Sequence, residues 1–194
     1  MTRTTFLACL LLGSGAAAFA QSTANTVQRD INQQQRIEQG LQSGALNTRE
    51  ASALEREESR VNQLQTQALK DGKMTPAEQA KLNAAQNKVS SDIYAAKHNS
   101  VAGNPQSDSS KRMQADVQRN INQQQRIENG VQNGSLTNRE VAKLEHGQSK
   151  VAKAEANAGR DGHVVANEQA RVQRAENHQS KHIYREKHDA QQKN

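Results

Sequence analysis

The stretch Ile31-Asn32-Gln33-Gln34-Gln35-Arg36-Ile37-Glu38 recurs letter for letter from Ile121 to Glu128. Outward from it, residues 27–99 align on 117–189 without a gap at a shift of ninety. With roughly half the positions identical, this is an internal duplication. Paired landmarks include Gly40/Gly130, Gly44/Gly134, Asp71-Gly72/Asp161-Gly162 and Ile93-Tyr94/Ile183-Tyr184. On a 3.6-residue period Val27, Ile31, Ile37 and Leu41 share about a third of the circumference, and Gln34 and Glu38 intrude on that arc. Such a narrow, partly polar stripe suits a thin helical bundle or a coiled-coil seam. Gln33, Gln35 and Arg36, with Gln123, Gln125 and Arg126, fall outside it and form a candidate interaction face.

Helix boundaries follow from cap chemistry. Gly44 and Gly134 suit the left-handed position that ends a helix, and Asn47 with Glu50, or Thr137 with Glu140, makes a capping box for the next. Thr75-Pro76-Ala77-Glu78 repeats the device with Pro at the first helical position. Val165 occupies the equivalent place in copy two and cannot cap, so the last helix should start less firmly. The spacing predicts helices near 25–43, 48–71 and 76–98, then 113–133, 138–161 and 167–189. The second should run unbroken for about 36 Å. The fold class is therefore all-α: two tandem three-helix up-down-up bundles, or coiled-coil-like hairpins. Inward positions should include Leu54, Val61, Leu64 and Ala68, then Leu82, Ala85, Val89 and Ile93. Copy two is poorer in apolar bulk, with Ala154, Gly159, Val172 and Gln179 where copy one has Leu64, Leu69, Leu82 and Val89. It should be the less stable half. The low mean hydropathy, −0.99, keeps full disorder as an alternative.

The chain divides into a signal peptide over 1–20, repeat one over 21–99, a flexible Gly/Pro/Ser-bearing linker over 100–112 and repeat two over 113–194. Arg3 gives the signal its positive start, Phe6 to Leu12 its apolar run, and Ala18-Phe19-Ala20 its cleavage site. The expected location is thus the periplasm or outside the cell. No later segment approaches the roughly 20 apolar residues of a membrane span. The only cysteine, Cys9, lies in the signal, so the mature chain has neither a disulfide nor a thiolate nucleophile. Lys and Arg number 26 against 20 Asp and Glu; loss of Arg3 with the signal lowers the net charge from +6 to +5. The charges are interspersed, which reads as a solvated surface. Tyr94 and Tyr184 are the sole mature aromatics, so base-stacking platforms are absent and no specific nucleic-acid partner is expected.

Three constellations could carry chemistry. In the loops a Gly is followed two residues later by an aliphatic side chain and six later by Glu, a register that resembles the calcium-binding EF-hand. The resemblance implies Asp71, Gly72 and Glu78, and Asp161, Gly162 and Glu168, as loop residues. Gln67 and Leu69, or Asn157 and Gly159, occupy the first and third ligand positions, so calcium is not expected and the loops read as structural. His178, His182 and Glu186 share one helical face at i, i+4 and i+8, with His188 nearby, and would bind Zn, Ni or Cu weakly. His98 and His188 each follow a Lys in a last helical turn, where positive charge complements the dipole. No phosphate loop and no serine-triad signature occurs, so no enzyme is expected.

The chain as a whole is similar to uncharacterised secreted repeat proteins of proteobacteria with degenerate EF-hand-like helix-loop-helix units. Through Met74-Thr75-Pro76-Ala77-Glu78-Gln79 it also resembles small helical periplasmic stress proteins of the Spy kind. The reading reached is a non-enzymatic interaction or structural module of the cell envelope. Its partner would be another envelope protein or an acidic envelope polymer. The alternative is a metal-binding or metal-stress protein using His178, His182 and nearby acids.

Overall fold

The computed structural model describes residues 14–189, with side chains from residue 21. The proposed signal lies largely outside that range. Six helices follow one another: α1 (Ser14–Ser43), α2 (Thr48–Ala68), α3 (Pro76–Lys97), α4 (Asp108–Gln132), α5 (Asn138–Ala158) and α6 (Ala166–His188). The all-α class is as expected. α2 and α5 stop sooner than their patterns suggested, at Ala68 and Ala158, three residues before the Asp-Gly pairs.

The caps form as the sequence dictates. Asn47 Oδ1 accepts from Glu50 N at 2.9 Å and Glu50 Oε2 accepts from Asn47 N at 3.0 Å; Thr75/Glu78 and Thr137/Glu140 form the same reciprocal box. Val165 provides no side-chain bond, and only its backbone N–H is held, by Glu168 Oε2 at 3.0 Å. Gly44 and Gly134 take φ of +77° and +72°, which a side chain would strain.

Within each copy the helices alternate up, down, up. Arg29 and Arg36 of α1 reach Asn87 and Ser90 of α3 in rising order, so α1 and α3 run parallel. Between copies the packing is more extensive than within them: α2 lies along α5 and α1 along α4, with α3 and α6 on the flanks. The core is accordingly shared, running from Val27, Ile31, Ile37 and Leu41 through Leu54 and Val61 to Ile121, Ile127, Val141 and Leu144. Each such aliphatic side chain contributes about 1.5–3 kcal/mol by leaving water. Leu64 and Ala85, expected inside, are only half-buried against this core.

The contacts between copies are reciprocal. Arg49 donates to Asp161 O at 2.9 Å, and its counterpart Arg139 to Asp71 O at 3.3 Å. Ser59 Oγ donates to the carbonyl of its own counterpart, Ser149, at 2.8 Å. With their amide nitrogens turned inward, Gln28 lies 2.7 Å from Glu128 and Gln118 2.8 Å from Glu38. α2 crosses α5 antiparallel at Ser59/Ser149, and the repeated octapeptides lie at the middle of the α1–α4 pair.

The linker is shorter than expected and is tied down. Residues 108–112 already belong to α4, capped by Ser107, whose Oγ accepts from Ser110 N at 3.2 Å. Gly103 N donates to Gly44 O at 2.8 Å, and a Cβ on Gly103 would stand 2.3 Å from Leu46 O. Closing the loop against the α1–α2 corner therefore requires glycine there.

Candidate functional site

The interior of the bundle is acidic. Asp30, Glu55 and Glu58 from copy one meet Asp116, Glu145, Glu155 and Glu176 from copy two, and each is at most 1% exposed. Amides solvate several of them. Gln86 donates to Asp30 Oδ1 at 2.6 Å, Gln34 to Glu55 Oε2 at 3.0 Å, Gln124 to Glu145 Oε2 at 3.2 Å and Asn120 to Glu155 Oε2 at 3.3 Å. Glu55 and Glu155, facing each other from α2 and α5, lie within hydrogen-bonding reach. Among the described residues, the ion pair that reaches this set is Arg119 Nε to Glu176 Oε2, at 3.0 Å.

Burial without matching cations disfavours the ionised form. Desolvation raises Asp30 to about 7, against the pull of Gln86 and Arg29. Glu55 and Asp116 rise likewise to about 7, and Glu176 to about 8. Glu58, Glu145 and Glu155 are pushed well above the carboxylate range by desolvation first, then by their acidic neighbours. A protonated carboxyl can donate a hydrogen bond, so in this form the set resembles the amides around it.

With Glu128 and Glu140, nine of the 20 acids are withdrawn from the surface, leaving 11 to face the 24 Lys and Arg among the described residues. The mild excess of the composition becomes a strongly cationic exterior. One concavity of that exterior lies between α4 and α6. Arg126, His178, Ser180, Lys181, Tyr184 and Arg185 line an open groove of about 570 Å³. Arg126 donates to Ser180 Oγ at 2.7 Å and to Ser180 O at 3.2 Å, which fixes the groove floor. Tyr184, 59% exposed, stacks on His188 with ring centroids 4.1 Å apart. In copy one the equivalent positions of Lys181 and Arg185 are Ser91 and Ala95. Of the cations that copy one has there, Arg36 donates to Ser90 O at 3.0 Å, and Lys88 is held by Glu57 at 3.3 Å and by Asp92.

The candidate interaction face is corrected. Gln33 and Gln123 do not point outward: both are buried, donating to Gln86 O at 2.6 Å and Glu176 O at 2.9 Å. Arg36 is half-buried on Ser90 O at 3.0 Å, as Arg126 is on Ser180, while Gln35 is half-buried and Gln125 exposed. The helical period misplaced Gln33 because α1 is covered on two further sides, by α3 and by α4.

Of the histidine group, His182 Nε2 meets Glu186 Oε1 at 3.1 Å, His178 is exposed in the groove, and His188 turns its Nδ1 back to Tyr184 O at 2.7 Å. The EF-hand-like loops have other partners: Asp71 Oδ1 accepts from Lys73 N and Asp161 Oδ1 from His163 N, both at 2.9 Å. Gly72 and Gly162 take positive φ, Gly72 O accepts from Asn138 Nδ2 at 3.0 Å, and Glu78 and Glu168 serve the caps. The buried acids went unrecognised in the sequence. The available signal was Glu58 and Gln65, which continue the Leu54, Val61, Ala68 stripe at helical spacing. In comparisons with family models, curated proteins and solved structures, nothing matches the chain.

Proposed function

We propose that the protein is a non-enzymatic module exported to the cell envelope, where the basic groove between α4 and α6 holds an acidic envelope polymer. The observation that carries this reading is the division of charge: carboxylates gathered in the core, and groove-lining cations at Lys181 and Arg185 where copy one has Ser91 and Ala95. An open, cation-lined groove suits a repeating anion more than a small apolar ligand, which needs enclosure. Among the described residues no helix is long and apolar enough to cross a membrane.

The test is co-sedimentation of the purified chain with lipopolysaccharide and with peptidoglycan sacculi at low and high salt. Retention should fall with salt, as screening of exposed charge requires. The double variant Lys181→Glu, Arg185→Glu should lose retention while keeping its helical circular dichroism. Retention equal to the parent overturns the reading, and capture of an envelope protein with no polymer binding would replace the polymer by that protein.

A further inference from the structure

The corner where the end of α6 meets the first turn of α5 is built differently from its copy-one counterpart. In copy one Glu50 spends Oε2 on the cap, and its Oε1 accepts from Asn99 Nδ2 at 2.7 Å. Copy two has Asp189 in place of Asn99 and Glu186 in place of Ala96. Glu140 still caps, its Oε2 accepting from Thr137 N at 2.6 Å and Thr137 Oγ1 at 2.8 Å. Among the described residues its Oε1 has no hydrogen-bond partner, although the residue is only 2% exposed. One carboxylate oxygen from each of Glu140, Glu186 and Asp189 lies within 4.8 Å of the other two. Lys143 Nζ stands 3.3 Å from Glu186 Oε2, and His182 Nε2 stands 3.1 Å from Glu186 Oε1.

We infer that this corner binds a hard divalent cation through the carboxylate oxygens of Glu140, Glu186 and Asp189. A buried carboxylate oxygen without a donor costs more than the same oxygen in water, and copy one removes that cost with an amide N–H. An ionised Asp cannot donate, so the same oxygen in copy two is satisfied by a cation that all three carboxylates can share. Oxygen-only donors on a partly open rim, with room for water ligands, select Ca²⁺, Mg²⁺ or Mn²⁺ over thiophilic metals. Lys143 offsets one of the three charges. This site is separate from the Asp-Gly loops, and it recruits Glu186 alone from the expected histidine group. It does not depend on the polymer reading.

The test uses the full chain, melted by circular dichroism in EDTA and then in millimolar CaCl₂, MgCl₂ or MnCl₂, with affinities from isothermal titration calorimetry. A cation that binds only the folded state raises the midpoint. At least one of the three should do so. Asp189→Asn, which supplies the amide found in copy one, should melt in EDTA no lower than the parent and bind the cation at least about tenfold more weakly. Glu186→Ala should also lose the metal-dependent rise. No rise with any of the three salts overturns the inference, and so does a rise that survives in both variants.

Discussion

The two copies keep the same buried polar positions but exchange the groups that fill them. Asp30, Glu58, Gln65 and Gln86 of copy one correspond to Asn120, Gln148, Glu155 and Glu176 of copy two, and all eight are buried. Acid and amide have the same shape, and a protonated acid has a donor as an amide does. The exchange teaches that the core needs a donor-acceptor group at these places and tolerates a carboxyl because it is held protonated. Size is balanced in the same way. Copy two has Gln179 for Val89, and opposite it Gly147 for Glu57; a Cβ on Gly147 would lie 1.8 Å from Gln179 Oε1. Likewise Gly159 replaces Leu69 while Met113 replaces Thr23, and a Cβ on Gly159 would lie 2.5 Å from Met113 Cε. The apparent losses in copy two are therefore half of paired changes.

The strongest way to break the comparison is pH. For each buried acid the folded pKa exceeds the unfolded value near 4, so its stabilising neutral form is complete below pH 4. That contribution is lost as pH rises through 7 to 8, where Asp30, Glu55, Asp116 and Glu176 titrate. With several kcal/mol at stake, the melting midpoint should fall by roughly 10 °C or more from pH 5 to pH 9. Glu58→Gln with Asp30→Asn, the copy-two residues, should flatten this slope; an unchanged slope would show that these acids are ionised in the fold.

A smaller effect probes the paired sizes. In an exposed helix Gly→Ala gains about 1 kcal/mol. Gly147→Ala should instead destabilise by about 1–3 kcal/mol, because Gln179 is pinned by Leu144 O at 2.9 Å and cannot yield. The double variant Gly147→Ala, Gln179→Val should recover the loss in a denaturant cycle, and an additive result would remove the pairing. The smallest change concerns the helix start: Val165→Thr should add a capping bond like that of Thr75 and stabilise by about 1 kcal/mol, read from urea titrations.

Much of the fold was legible because caps and periodicity are local. Six helices, their starts at Thr48, Pro76 and Asn138, and the apolar stripe of Val27, Ile31, Ile37 and Leu41 follow from short-range rules. What was not legible depends on the second copy. Gln33 and Glu55 look like surface residues until α3, α4 and α5 close over them, and no spacing within one helix announces that closure. The cation corner was half legible, since Glu186 stood out by its histidines while Glu140 passed as a cap. Its third member, Asp189, differs from Asn99 by a single group, and only proximity in space gives that difference meaning.

The reciprocal contacts at Arg49/Arg139 and Ser59/Ser149 have a consequence for how such a molecule can vary. They are those of an isologous homodimer, in which one patch meets itself. Here the two subunits are fused head to tail through residues 99–107. A chain with a single copy would have to find a second molecule to cover Glu55 and Ser59. It would also carry any change on both sides of the axis. Fusion lifts that constraint: the octapeptide at the axis stays the same in both halves, while Lys181, Arg185, Glu186 and Asp189 belong to one half alone.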